Sequence, residues 1–205
     1  MTDDVVHDLS ALRALYSAVG EASRVKEVDY LHPVYAAFIK AAPFLVLATS
    51  GPVGLDASPR GDAEWLVTIL DQHTLLLPDR RGNNRIDSLE NILADPRVGL
   101  LFLIPGVGET LRVNGSAEIL ATPALLDRFA VEGKRPRTVL RITVESVFFQ
   151  CSRAVVRAGL WDPSRFADRA SLPSAGDILA ALSREAIDGA DYDRALPERL
   201  RTTLY

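Results

Sequence analysis

Two short segments of this chain concentrate residue types able to hold an anion. Pro78-Asp79-Arg80-Arg81-Gly82-Asn83-Asn84-Arg85 leads into Ile86-Asp87-Ser88-Leu89, and Ser58-Pro59-Arg60-Gly61-Asp62 precedes it. In the first, three arginines fall close together, Ser88 adds a hydroxyl, and Gly82 lets the backbone approach a ligand closely. Asn84 is suited to cap a helix running from about Arg85 to Ala94, with Asp87 supporting it in capping-box fashion. The free N–H groups and positive dipole end of a helix start, joined by arginines and a hydroxyl, have the chemistry of a phosphate site. The competing reading is a solvated turn with surface arginines, since neither a P-loop nor a Walker lysine is present. Arg60 lies between two expected strands. It could point into a barrel mouth and share the same anion, or pair with Asp62. In a third segment Thr110, Arg112 and Asn114 alternate with apolar neighbours and so share one strand face, which either reaches a ligand or meets solvent.

Other chemistries have little support. There is no G-x-S-x-G motif, and Cys151, the only cysteine, has no evident histidine partner and is expected to be a small buried residue. One cysteine excludes an internal disulfide and a cysteine-rich metal cage. His7, His32 and His73 are far apart, without metal-ligand spacing, so no metal is expected. Trp65 and Trp161 fit core or interface roles, and Arg135 and Arg137 flank Pro136 in what reads as a solvated loop. A net charge of −4 offers no field for nucleic acid or acidic membrane. The apolar runs fall well short of the roughly 20 residues a membrane span needs. Met1-Thr2-Asp3-Asp4 is acidic where a signal peptide is basic. The expected location is the cytoplasm.

The elements that must position these residues fall into three zones across 205 residues: a helical segment over 1–42, a mostly β domain over 43–165, and a helical tail over 166–205. Val5, Leu9, Leu12, Leu15 and Val19 recur at spacings of three and four, an amphipathic helix stripe, and Pro33–Ala41 is a second helix. Strands are expected over Phe44–Thr49, Trp65–Leu70, Thr74–Leu77 (stopped by Pro78), Arg97–Ile104, Leu111–Leu120 with a bulge at Gly115, and Thr138–Gln150. Asp177–Ile187 and Pro197–Thr203 are helix candidates. The pattern predicts a mainly β protein with flanking helices, an antiparallel barrel of six or seven strands.

Taken in order, these segments and Leu160-Trp161-Asp162-Pro163 resemble a bacterial branch of the pyridoxamine 5′-phosphate oxidase-like, FMN-binding split-barrel family, over about residues 33–165. The resemblance implies a split-barrel homodimer with flavin mononucleotide (FMN) at the subunit interface. Arg60, Asn84, Arg85 and Ser88 match phosphate-binding positions, within the cluster that also holds Arg81 and Asn83. Ser58 and Pro59 would lie along the flavin, and Pro78 and Asp79 near its ring edge or ribityl chain. Thr110 and Arg112 match a strand position that reaches the cofactor, and Trp161 would come from the partner subunit. The chain departs from the true oxidase in two ways: Ser88 stands where that enzyme has lysine, and the arginine-rich C-terminal segment that grips the vitamin substrate is missing. Vitamin B6 oxidation is therefore not expected.

Two readings follow from the resemblance. One is an FMN-dependent oxidoreductase acting on an unnamed small molecule, with a nicotinamide electron donor and no side-chain acid or base assigned. The other is a non-catalytic binder of flavin, deazaflavin or haem, for which His73 is the one histidine in the barrel zone.

Overall fold

Alternating apolar and polar residues build the sheet. A computed structural model describes residues 5–52, 54–63 and 66–205; Trp65, and the expected start of a strand there, lie outside the described residues. Three helices, α1 (Leu9–Ala14), α2 (Glu21–Val25) and α3 (Pro33–Ala41), precede the hairpin β1 (Phe44–Gly51) and β2 (Gly54–Gly61). Then come β3 (Thr68–Asp71), β4 (Thr74–Asp79), α4 (Asp87–Ala94), β5 (Arg97–Leu103), β6 (Thr110–Leu120), α5 (Pro123–Arg128), β7 (Thr138–Gln150) and α6 (Arg153–Ala158). The chain ends with α7 (Ala175–Leu182) and α8 (Gly189–Thr203).

The seven strands form one antiparallel sheet in the order β2-β1-β5-β6-β7-β4-β3, which does not close on itself. β2 and β3 are its two edges. Leu45, Leu47, Leu75, Leu77, Leu100, Phe102, Leu111, Val113, Leu140 and Ile142 fill the concave side, where Tyr35 and Ile39 of α3 also pack. Each such aliphatic contributes roughly 1.5–3 kcal/mol through burial. The bulge expected at Gly115 is present: the β6–β7 register shifts between Asn114 and Gly115. A Cβ at Gly115 would lie 2.0 Å from the Thr143 carbonyl oxygen, so this crossing requires glycine.

Several expectations are corrected. β2 is a strand, so Ser58, Pro59 and Arg60 sit within the sheet rather than in a connection. β4 passes through Pro78 to Asp79, pairing Pro78 with Val139. α4 begins at Asp87; its N-cap is Ile86, and no side chain caps it. Asn84 instead takes φ of 63° in the preceding loop, and Asp87 pairs with Arg85. The N-terminal stripe is helical only over α1, with Val5, Leu9, Leu12, Leu15 and Val19 all exposed. A helix with no surface to bury against is marginal at such length. α8 starts at Gly189 because the Asp188 carboxylate accepts from the Asp191 N–H; Pro197 lies inside it. Cys151 is exposed.

Candidate functional site

Position along α4 determines the site. Asn91, fully buried, donates through Nδ2 to Thr49 Oγ1 at 3.2 Å and to the Gly54 carbonyl at 2.8 Å, fastening the helix beneath the β1–β2 hairpin. Ser88, one turn earlier on the same face, is thereby pressed against β2. Its hydroxyl donates to the Asp56 carboxylate. With that proton committed, its oxygen accepts from Ser58 Oγ at 2.9 Å and from Arg60 Nη2 at 3.3 Å. Arg60 Nη1 donates to Ser58 Oγ at 2.9 Å. One guanidinium is thus aimed by two hydroxyls beside a helix start whose leading amides have no side-chain cap.

Of these residues Arg60 borders a cleft of about 590 Å³, while Ser58 and Ser88 hold it from outside the cleft's lining. β2 supplies Pro59 and Arg60, the end of β4 supplies Pro78 and Asp79, and Arg81, Asn83, Asn84 and Arg85 come from the loop before α4. Five arginines and two aspartates line it among the described residues, a lasting cationic excess. The arginines differ in kind. Arg60 is 20% exposed and lies 3.9 Å from Asp79. Arg85 is 75% exposed and turned onto Asp87 at 2.6 Å, while Asn83 Oδ1 accepts from the Arg85 N–H at 3.0 Å. Arg81 is exposed. Burial pushes the Asp79 carboxyl above its ordinary range, against the opposing pull of Arg60 and Arg137.

Five of the expected residues do not line the cleft: Ser58 and Ser88, which contact Arg60, and Thr110, Arg112 and Trp161, which lie elsewhere in a single chain. Thr110 and Arg112 point from the convex face of the sheet and do not line the cleft. Thr110 Oγ1 donates to Gln150 Oε1 at 3.1 Å; the Arg112 guanidinium lies 4.0 Å from the Phe148 ring centroid, and its Nε is buried without a partner. Trp161 Nε1 donates to the Val107 carbonyl at 2.8 Å. The cleft also holds Arg80, which the sequence groups with the other arginines of the anion segment, and two residues that sequence reasoning did not place there: Tyr205, and Arg137, which is exposed in a loop as expected but borders the cleft. Arg80 is 14% exposed, with Nε donating to Asp62 at 2.9 Å. The clustering of Arg80 with Arg81 was a usable signal for Arg80; nothing local marks Arg137 or Tyr205. Among the described residues no group of three or more histidine, cysteine, aspartate or glutamate side chains could hold a metal, and no helix is long and apolar enough to cross a membrane.

Residues 31–151 match the family model described as pyridoxamine 5′-phosphate oxidase. No curated protein matches. Among solved structures, HupZ of Group A Streptococcus is similar with a TM-score of 0.46 at 21% identity, covering 57% of this chain and 90% of that one. General Stress Protein 26 of Bacillus anthracis gives a TM-score of 0.41 at 17% identity, covering 56% and 88%. An FMN-binding protein of Syntrophomonas wolfei gives 0.41 at 12% identity, covering 54% and 78%.

Proposed function

The chain belongs to the pyridoxamine 5′-phosphate oxidase family, and from that premise we propose that it binds FMN in the cleft and uses it for redox chemistry on a small molecule. The observation that carries this reading is Arg60, held by Ser58 and Ser88 beside the uncapped start of α4. A phosphate dianion suits a planar fork held beside free leading helix amides, with the two hydroxyls, whose protons go to Asp56 and to Ser88 Oγ, aiming the fork. Pro59, Pro78 and Asp79 would flank the rest of the cofactor, and the cationic excess of the cleft would favour its anionic form. Bound flavin supplies hydride transfer, with a nicotinamide donor and an organic acceptor as the partners proposed here. The chain's own tasks are to hold the phosphate, orient the ring and exclude water.

We further propose a homodimer formed through the convex sheet face. Pro59, Val46, Leu101, Arg112 and Phe148 form one cross-strand row there, with Phe44 and Leu103 in the next. The half-buried Val46, Leu101, Leu103 and Phe148 and the exposed Phe44 and Pro59 favour this assembly, because covering such apolar surface contributes roughly 25 cal/mol per Å². In it, Thr110, Arg112 and Trp161 would reach the partner's cofactor.

The test is titration of the purified protein with FMN, followed by addition of a reduced nicotinamide. Saturable binding and bleaching of the flavin bands support the oxidoreductase. Binding without bleaching by any donor leaves a flavin binder, and no uptake of FMN refutes the cofactor. Val46→Glu should yield monomers in sedimentation; a wild-type protein that stays monomeric at high concentration with FMN bound refutes the interface.

A further inference from the structure

One wall of the cleft comes from the far end of the sequence. Leu204 and Tyr205, following α8, both line it. The Tyr205 hydroxyl donates to Asp62 Oδ1 at 2.8 Å, and Oδ2 of the same carboxylate accepts from Arg80 Nε at 2.9 Å. The Arg80 guanidinium lies 5.5 Å from the Tyr205 ring centroid. Asp62 is only 3% exposed at its side chain, so the Tyr205 bond is made to a desolvated charge and is of the stronger kind. That hydrogen bond, and burial after it, push the Tyr205 phenol above its ordinary value, so it remains a donor throughout the neutral range.

The helices behind Tyr205 form a unit of their own. The Gly176 N–H donates to Asp193 Oδ1 at 2.8 Å. A Cβ at Gly176 would lie 2.1 Å from the Gly189 carbonyl oxygen, so α7 and α8 meet backbone to backbone. Among the described residues, the Tyr205–Asp62 bond is the one side-chain hydrogen bond joining this pair to the barrel. A pair that is firm internally and held at a single polar point can swing.

We propose that α7 and α8 form a strap, latched at Tyr205 to Asp62, that walls the cleft and retains the ligand. This rests on the flavin reading above. With the strap latched the cleft still measures about 590 Å³, within the roughly 300–1,000 Å³ of small-molecule pockets, so Tyr205 walls the cleft and leaves room for a ligand. The latch acts through Asp62 and Arg80, which make no hydrogen bond to Arg60, Ser58 or Ser88. It should therefore govern release rather than phosphate recognition.

The experiment compares wild type with Tyr205→Phe, which keeps the ring and removes the donor, and with Tyr205→Ala. FMN release is followed by fluorescence recovery on dilution, and the distance between spin labels on Cys151 and on Arg201→Cys, both exposed, is followed without ligand. Loss of one hydrogen bond to a charged acceptor predicts about tenfold faster FMN release in Tyr205→Phe, a larger effect in Tyr205→Ala, and a broader distribution of label distances in both. An unchanged distribution overturns the latch, whatever FMN does. A broader distribution with unchanged FMN release overturns the control of the ligand. Wild-type protein that takes up no FMN refutes the cofactor reading, and with it retention of that ligand, while the label distances still judge the latch by themselves.

Discussion

Arg60 and Arg85 both border the cleft and both are proposed to meet the phosphate, yet they should respond differently to removal. Arg60 is mostly buried and is held at the cleft's edge by Ser58 and Ser88. A hydrogen bond from such a charged group is worth about 1.5–3 kcal/mol, or about 10- to 150-fold in dissociation constant. Arg85 is largely in solvent and must leave Asp87 to reach an anion. An exposed ion pair contributes about 0–1 kcal/mol, at most about fivefold, and salt screens it. Arg60→Ala should therefore weaken FMN binding by at least tenfold, and Arg85→Ala by fivefold or less. The Arg85 effect should shrink further as salt is raised. Arg60→Lys should fall between, since an ammonium keeps the charge but not the planar fork. The assay is quenching of FMN fluorescence at two salt concentrations, with circular dichroism to establish that each variant is folded. A folded Arg60→Ala protein within twofold of wild type would refute the site. An Arg85→Ala loss equal to that of Arg60→Ala would show that burial is the wrong criterion for ranking these arginines.

Three other perturbations probe the scaffold. Asn91→Ala leaves Thr49 Oγ1 and the Gly54 carbonyl without their donor and frees α4, so denaturant unfolding should show a loss of about 1–3 kcal/mol, with weaker FMN binding despite no contact at the cleft; unchanged affinity would mean that α4 does not position Ser88. Asp79→Asn should raise the melting temperature at neutral pH, because a carboxyl held above its ordinary value of 3.8 penalises the folded state as pH rises through the shifted value. That gain should fade below about pH 3.8, where the carboxyl is protonated in both states, and a variant less stable than wild type at pH 7 would contradict the burial argument. Gly115→Ala drives a Cβ into the Thr143 carbonyl and should cost about 3 kcal/mol or more by chemical denaturation; a near-neutral result would mean the β6–β7 crossing is not tight.

The sheet could be read from sequence where strands were apolar or alternating, because burial on one or both faces leaves that imprint: Phe44–Gly51, Arg97–Leu103 and Thr138–Gln150 all carry it. Gly115 could be read as a bulge because a glycine within an alternating run has few other uses. The anion cluster was legible as a set of types but not as geometry. Arg80, Arg81 and Arg85 look alike along the chain, and only the fold buries the first and leaves the other two outside. The start of α4 was misplaced because Asn84 is a strong capping type, whereas tertiary fastening through Asn91 sets where the helix lies. Tyr205 had no local signal at all, since its partner is 143 residues away.

β2 is the most instructive miss. Gly54, Asp56, Ser58, Pro59 and Gly61 read as turn chemistry, and in a central strand they would be destabilising. β2 pairs only with β1, however, and an edge tolerates proline and polar side chains because one of its sides needs no ladder. The same freedom makes the strand useful. An unpaired edge at the mouth of an open sheet can carry Arg60, held by Ser58, into a cleft that a fully paired, apolar strand would seal. The residues that hide the strand from a periodicity argument are therefore the residues proposed to hold the phosphate. Local inconsistency between propensity and fold falls where function would require it.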